Sequence, residues 1–545
     1  MKKLLVLSLM AHHLWVADLA QAAPSETPTF DVLEFVVEGN TLLPDELIER
    51  TVMPHMGPGR TLADVEAARA ALEKAYQDAG HLTVLVSVPN QKVASGEVRL
   101  EVQESAIEKM RITGAQYHLP SRVREQVPSL QPGQVPEFSQ VQKELAAVQT
   151  ADLQITPLIA ASPSGQGIDV ELKVQDTLPL HGSVEVNNNQ SYNTREGRVV
   201  ASATYANLFQ RGHSIGLNWQ YAPQRPKDGN TLSLIYGLPL GLRDDLLASF
   251  TTSDSDTPTA VSGTGPTSTL TKGEFFGMRW THRLLPGPWP VRHSAYLALD
   301  LKHNRDLNAY ANGTVTQRPP LRYPLLSGGY NLSWDGEAGA STTLSTTLKG
   351  ALSAWAARTV DCNGVSLDQF DCKRAGASAD FLAWQVGVAR VQPLGGGWLF
   401  NVNADAQMAS APLPGGEQYS LGGASTVRGY FDFEQTGDEG WFGRMELVTP
   451  SWWRAGDWRA HSLAFFDRGF VHYMNPQASQ LGRVHLASRG LGIRLSSGQG
   501  LQAQLDVAQP LFDTLRVTDN GARQYASGER AGRSVRWTFS LRQSF

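Results

Sequence analysis

The sequence predicts an α+β region followed by an all-β transmembrane barrel of about sixteen antiparallel strands. Three observations carry that prediction. From residue 178 onward, apolar and polar residues alternate with period two, which gives each strand one apolar and one polar face. The connections between those strands alternate between short and long, as turns at one rim and loops at the other would. The tryptophans are segregated: apart from Trp15, all of the 13 lie between Trp219 and Trp537, and none lies between Ala23 and Thr177. Aromatic side chains collect where a barrel meets the two membrane–water interfaces.

Composition excludes several alternatives. Hydrophobic residues make up 41% of the 545, too many for a disordered chain. A net charge of −5 argues against nucleic acid as a partner. Two cysteines exclude a disulfide-dense scaffold and a zinc ribbon.

Residues 1–22 read as a signal peptide. Lys2 and Lys3 are followed by apolar Leu4 to Met10, and Ala20-Gln21-Ala22 supplies small residues for cleavage. No later run reaches about 18 apolar residues, so no membrane helix is predicted. An exported chain of this kind is soluble or a β-barrel, and the alternation favours the barrel.

Residues 29–104 read as one small domain and 105–177 as a second. In the first, Phe30 to Val37 suits a strand, and Leu43 to Val52 and Leu62 to Ala79 suit helices. Val65, Ala68, Leu72 and Ala75 recur at helical spacing. Gly80 stops the second helix, and Thr83 to Val88 and Glu97 to Gln103 suit strands. The second domain repeats the order. Its strands are Ile107 to Ile112, Gln154 to Ala161 and Gly167 to Val174, and its helices Arg122 to Gln126 and Phe138 to Val148. Two β-α-α-β-β units suggest a duplicated module. Small sheets leave strand edges free to accept an extended peptide.

Residues 178–545 read as the barrel. Val535, Trp537, Phe539 and Leu541 alternate with Arg536, Thr538, Ser540 and Arg542. Phe400, Val402, Ala404, Ala406 and Met408 alternate with Asn401, Asn403, Asp405 and Gln407. A soluble sandwich also alternates, but so many strongly polar faces fit a water-filled lumen better. Cys362 and Cys372 lie in one long connection, and in an oxidising compartment they are expected to form a disulfide.

The chain carries no HExxH, CxxC, Walker A, GxGxxG or GxSxG pattern, and its 13 histidines lack metal-ligand spacing. The expectation is therefore no enzyme, no catalytic residue, no cofactor and no metal. Two other segments stand out. The long connection 410–440 contains Val427-Arg428-Gly429-Tyr430, and a strand contains Phe465-x-Asp467-x-Gly469. Phe465, Asp467 and Gly469 share one face. If that face is the lumen, an arginine on an inward-folding loop can pair with Asp467 through two parallel hydrogen bonds. Arg468 is sent toward lipid with Phe466 and Phe470, unless it lies at the interface or a bulge intervenes.

These two segments resemble the signature motifs of two-partner secretion transporters, the TpsB class (ShlB/FhaC/HecB-like) of the BamA-related superfamily. Gly39-Asn-Thr41, Tyr76 to Gly80 and Pro89-x-Gln91 followed by Gly96 look like that class's first polypeptide-transport-associated (POTRA) domain, although His81 replaces the usual aromatic. Ile112-Thr-Gly114 fits the second. The resemblance implies an outer-membrane protein with its POTRA domains in the periplasm. It implies a secreted exoprotein of adhesin or hemolysin type as partner, bound partly by strand addition and passed unfolded through the barrel. Arg428 would hold the inward loop against Asp467, and this contact would be required for secretion. The barrel assembly machinery would insert the protein into the lipid bilayer. An alternative within the same superfamily is a BamA-like insertase. Relatives also close the pore with an N-terminal helix. Ala23 to Thr29 offers no room for one, so the expectation is a pore closed by the loop alone, or one that leaks.

Overall fold

The computed structural model describes residues 28–93, 95–165, 167–191, 194–255, 259–261, 268–270, 272–285, 291–305, 307–311, 314–476, 481–517, 523–525 and 534–545. The expected signal peptide lies outside the described residues. The chain divides into two compact units, Met1–Thr177 and Leu178–Phe545.

The first unit holds two modules. In the first, β1 (Phe30–Val32), β2 (Glu34–Glu38), α1 (Asp45–Val52), β3 (Gly57–Arg60), α2 (Leu62–Asp78), β4 (Val84–Ser87) and β5 (Glu97–Glu104) follow in order. β5 is central, parallel to β2 and antiparallel to β4. The expected single strand from Phe30 to Val37 is thus two. The chain breaks at Leu33, and β1 pairs instead with Gly57–Arg60. That partner, Gly-Pro-Gly-Arg, has no alternation to reveal it.

On α2 the buried stripe is Val65, Ala68, Leu72 and Tyr76, while Ala75 is only partly buried. At about 100° per residue, Tyr76 returns to within about 20° of Val65 and Ala75 falls about 80° away. The Tyr76 hydroxyl donates to Asn40 Oδ1 at 2.6 Å, and Asn40 Oδ1 accepts from the Leu43 N–H at 3.0 Å. Burial, with the Glu104 carboxylate nearby, pushes the Tyr76 phenol up to about 12, so it remains a donor.

The second module contains β6 (Ile107–Thr113), α3 (Pro120–Glu125), α4 (Phe138–Val148), β7 (Leu153–Ala161) and β8 (Ile168–Asp176), with β8 central. Its core is its own: Val141 and Leu145 of α4 pack with Ile155, Val170, Leu172 and Val174. Asp176 ends β8 and accepts the N–H groups of Gln116 at 2.9 Å, Tyr117 at 2.7 Å and His118 at 2.8 Å. Burial works against its charge, but these donors outweigh burial and hold the carboxyl below its ordinary value of 3.8. Its stabilising contribution is therefore complete above that value and lost as pH falls beneath it. Asp176→Asn is expected to lower the melting temperature of this module at pH 7. The difference from the native sequence should shrink as acid protonates Asp176; thermal unfolding from pH 7 to pH 3 reads both effects.

The second unit is a closed antiparallel barrel of sixteen strands. They are numbered here by position, from the first (Leu180–Asn187) to the sixteenth (Arg536–Ser544). These two pair from Ser544↔Ser183 to Ser540↔Asn187, and Phe545 and Gly182 exchange both backbone hydrogen bonds at 3.0 Å. Outward positions carry Leu217, Trp219, Phe250, Trp280, Leu297, Trp441 and Trp537, all exposed, as a wall solvated by lipid requires. The extra three-residue strand Trp453–Ala455 only extends the turn before the thirteenth strand. Long connections carry small hairpins of their own, such as Thr359–Cys362 with Val365–Asp368.

Candidate functional site inside the barrel

The eleventh strand (Trp398–Ala409) and the twelfth (Glu439–Val448) are joined by the long connection 410–438. This connection folds inward instead of standing out in solvent. Val427 and Leu421 are fully buried, as is Arg428. An inward loop is stable only if its polar groups find partners, and three sets of partners pin it.

The first pin is at Arg428. Its Nε donates to Asp467 Oδ2 at 2.7 Å and its Nη2 to Asp467 Oδ1 at 2.8 Å, a two-pronged match of guanidinium to carboxylate. The backbone N–H of Arg428 adds a third bond to Asp467 Oδ2 at 3.2 Å. Nη1 reaches Glu446 at 2.7 Å and faces Asp506 at 3.6 Å. The guanidinium lies 3.5 Å from the centroid of the Phe465 ring. Arg444 approaches Asp467 at 3.8 Å and Glu446 at 3.4 Å, and Arg494 binds Asp506 at 2.7 Å. Three arginines thus meet three carboxylates, so burial leaves no net charge to solvate.

The thirteenth strand (Trp458–His472) supplies the receiving surface. Phe465 stacks, Asp467 binds, and Gly469 leaves space: a Cβ there would strike the Leu421 side chain and sit 2.9 Å from the Trp441 carbonyl oxygen. On the loop, Gly429 has φ +88°, and a Cβ there would meet Ala508 at 3.1 Å and Pro510 at 3.2 Å. The Tyr430 hydroxyl lies 2.9 Å from the carbonyl oxygens of Ala487 and Phe512. Every residue singled out in the two motifs therefore has a contact of its own, and Arg428 and Asp467 are in direct contact.

Two further pins were not foreseen. Glu417, near the start of the loop, is 1% exposed and bonds to Lys302 at 2.5 Å, Tyr323 at 2.7 Å and Lys349 at 3.0 Å. These partners belong to the seventh, eighth and ninth strands, on another sector of the wall. At the end of the loop, Asp438 is bound by Arg374 and accepts the Leu413 and Met474 N–H groups at 2.8 and 2.7 Å. Arg374 follows the short helix Gln369–Lys373, which is tied by the Cys362–Cys372 disulfide with Cα atoms 5.7 Å apart. The signal for the Glu417 pin was present: Lys302 and Lys349 fall at inward positions of alternating strands, where a cation needs a partner. Nothing local in Glu417 named it as that partner. Around the loop a polar cavity of about 880 Å³ remains, lined by Glu185, Asn403, Asp405, Arg444 and Asp506 among others. Among the described residues no group of histidine, cysteine or acidic side chains is arranged to hold a metal.

A family described as "Haemolysin secretion/activation protein ShlB/FhaC/HecB" matches residues 166–495, more than half of the chain. The chain belongs to this family. Residues 30–105 match the POTRA domain of ShlB type. The outer membrane transporter CdiB of Escherichia coli is 24% identical over 487 residues, 86% of this chain and 77% of that protein. CdiB of Dickeya dadantii is 22% identical over 492 residues, 89% and 83% of the two chains. The solved structure of CdiB from Escherichia coli superposes with a TM-score of 0.59 at 19% identity, covering 96% of this chain and 92% of that one. BamA from Haemophilus ducreyi, lacking POTRA domains 1–3, gives 0.54 at 13% identity, covering 95% and 100%. At such identity these likenesses show the shared fold. As a family member, the chain is a TpsB-type secretion transporter of the outer membrane, with its POTRA region in the periplasm.

Proposed function

We propose that this transporter binds one exoprotein, of adhesin or hemolysin type, in the periplasm and passes it unfolded through the barrel lumen to the cell surface. The observation that carries this reading is the Arg428–Asp467 pin. A buried ion pair holds the inward loop against the wall of a polar lumen, and cargo passes only while the tip of the loop stays docked there. We read the second α/β module as a second POTRA domain, because it repeats the strand order of the first. The outer strands of each sheet, β2 and β4 in one and β6 and β7 in the other, have a neighbouring strand on one side only among the described residues, with Val86 of β4 already held by Arg69 and Glu73 and Ile107 of β6 by Gly133 and Gln134. They supply edges for strand addition by an extended segment of cargo. The residues brought together inside the barrel bind and gate; none is placed in a catalytic role.

Quantitative proteomics of culture medium and outer membrane, with and without the gene, tests this reading. Loss of one or two large exoproteins from the medium, with other barrels unchanged, is the expected result. A broad loss of outer-membrane barrels would instead assign an insertase role.

A further inference from the structure

We propose that Arg468 and Arg489 form a binding site for the phosphate groups of an outer-leaflet glycolipid, on the lipid-facing wall of the barrel. No register shift interrupts strands twelve to fourteen around Arg468, so no bulge turns its side chain inward. Arg468 is exposed and points outward with Phe466. It makes no hydrogen bond or ion pair among the described residues. A guanidinium in that position is tolerated only where it reaches an aqueous or anionic layer.

Register fixes the depth. The periplasmic unit precedes the first strand, so odd-numbered strands rise from the periplasmic rim, and Trp458 stands at that rim beside exposed Trp452 and Trp453. Arg468 lies ten residues further along. At about 3.4 Å per residue and a tilt of about 45°, that is about 24 Å, close to the roughly 25 Å height of a barrel's apolar band. Arg468 therefore sits at the outer-leaflet headgroups. The row above it is Trp441–Phe470–His485, with Phe470 and His485 ring centroids 4.8 Å apart. This is an interfacial aromatic row.

The arginines are diagonal neighbours. Arg468 pairs across the strands with Gly443 and Ala487, and Arg489 pairs with Phe466, one outward row lower. A Cβ on Gly443 would meet nothing within 4 Å, so one flank of Arg468 is open. Arg489 bonds only Gln509, at 3.2 Å, among the described residues. The outward positions of strands twelve to fifteen carry one carboxylate, Glu439, and His472 bonds it at 3.1 Å. Two guanidiniums without a protein counter-charge, below an aromatic row and above the apolar Leu491 and Ile493, suit a phosphate attached to acyl chains. Planar guanidiniums bind phosphate oxygens in pairs.

Native mass spectrometry of the detergent-solubilised full chain tests this, with diphosphoryl lipid A as probe and its dephosphorylated form as control. The diphosphoryl form should bind and the dephosphorylated form should bind far less. Arg468→Gln/Arg489→Gln should lose roughly thirtyfold in affinity, while Arg468→Lys/Arg489→Lys keeps most of it. Heat-modifiable gel mobility verifies that each variant retains a folded barrel. Equal binding by the glutamine variant, equal binding of dephosphorylated lipid, or displacement by millimolar inorganic phosphate would each overturn the assignment to a lipid phosphate.

Discussion

Arg428→Ala is expected to abolish export of the exoprotein while the barrel still inserts into the outer membrane. The substitution removes both prongs to Asp467, the bond to Glu446 and the stacking on Phe465 at once. It also leaves Asp467, fully buried, with Arg444 at 3.8 Å as its nearest cation and only the backbone N–H of residue 428 to bond it. Breaking a buried pair by removing one partner costs about 3–5 kcal/mol. That shifts the balance between docked and released loop by roughly two to four orders of magnitude. The barrel survives because its strands close through backbone bonds that the loop does not supply. Asp467→Ala should fail in the same way. If the two residues act as a pair, the double variant is no worse than either single one. Exoprotein in the medium, measured beside heat-modifiable barrel in the membrane, separates loss of export from loss of folding. Normal export by Arg428→Ala would remove the pin from the mechanism.

The second large effect is expected from Glu417→Gln, and it differs in kind. Glutamine keeps the shape of the side chain but leaves Lys302 and Lys349 without their shared carboxylate. Both lysines are largely buried, and Asp300, which lines the same pocket, is left as the one nearby carboxylate there for two cations. The start of the loop should detach from strands seven to nine while its tip stays bound to Asp467. Single-channel conductance in planar bilayers is expected to rise severalfold with the tip intact. A channel as silent as that of the native sequence would show that the Glu417 pin does not hold the pore closed. The same recordings decide between closure by the loop alone and a leaking pore.

Much of this architecture is legible in the sequence because barrels write themselves in period two. Asn403 and Asp405 point inward and Val402 and Ala404 outward, as alternation requires, and the α4 boundaries, Phe138 and Val148, follow from one amphipathic helix. The pairing of Arg428 with Asp467 is legible for a different reason. A carboxylate on a luminal face needs a cation, and the resemblance to the transporter family implies the inward loop that brings Arg428 to it. What is not legible is register between distant segments. Glu417 and Lys302 are 115 residues apart, and only the fold of the loop brings them together. Likewise, β1 leaves the expected strand to pair with a glycine-rich segment that has no pattern of its own. Arg468 looked out of place because alternation gives a side chain its face but not its depth. Depth required the length of the strand.

On the proposed function, cargo travels through the lumen. A photoreactive amino acid at Asn403, on the inward face of the eleventh strand, tests it most directly, compared with one at Leu541, on the outward face where the first and last strands meet. During export the probe at Asn403 is predicted to cross-link to the exoprotein and the probe at Leu541 is not. Adducts at Leu541 alone would contradict the account, placing the cargo at the seam of the barrel and outside its pore.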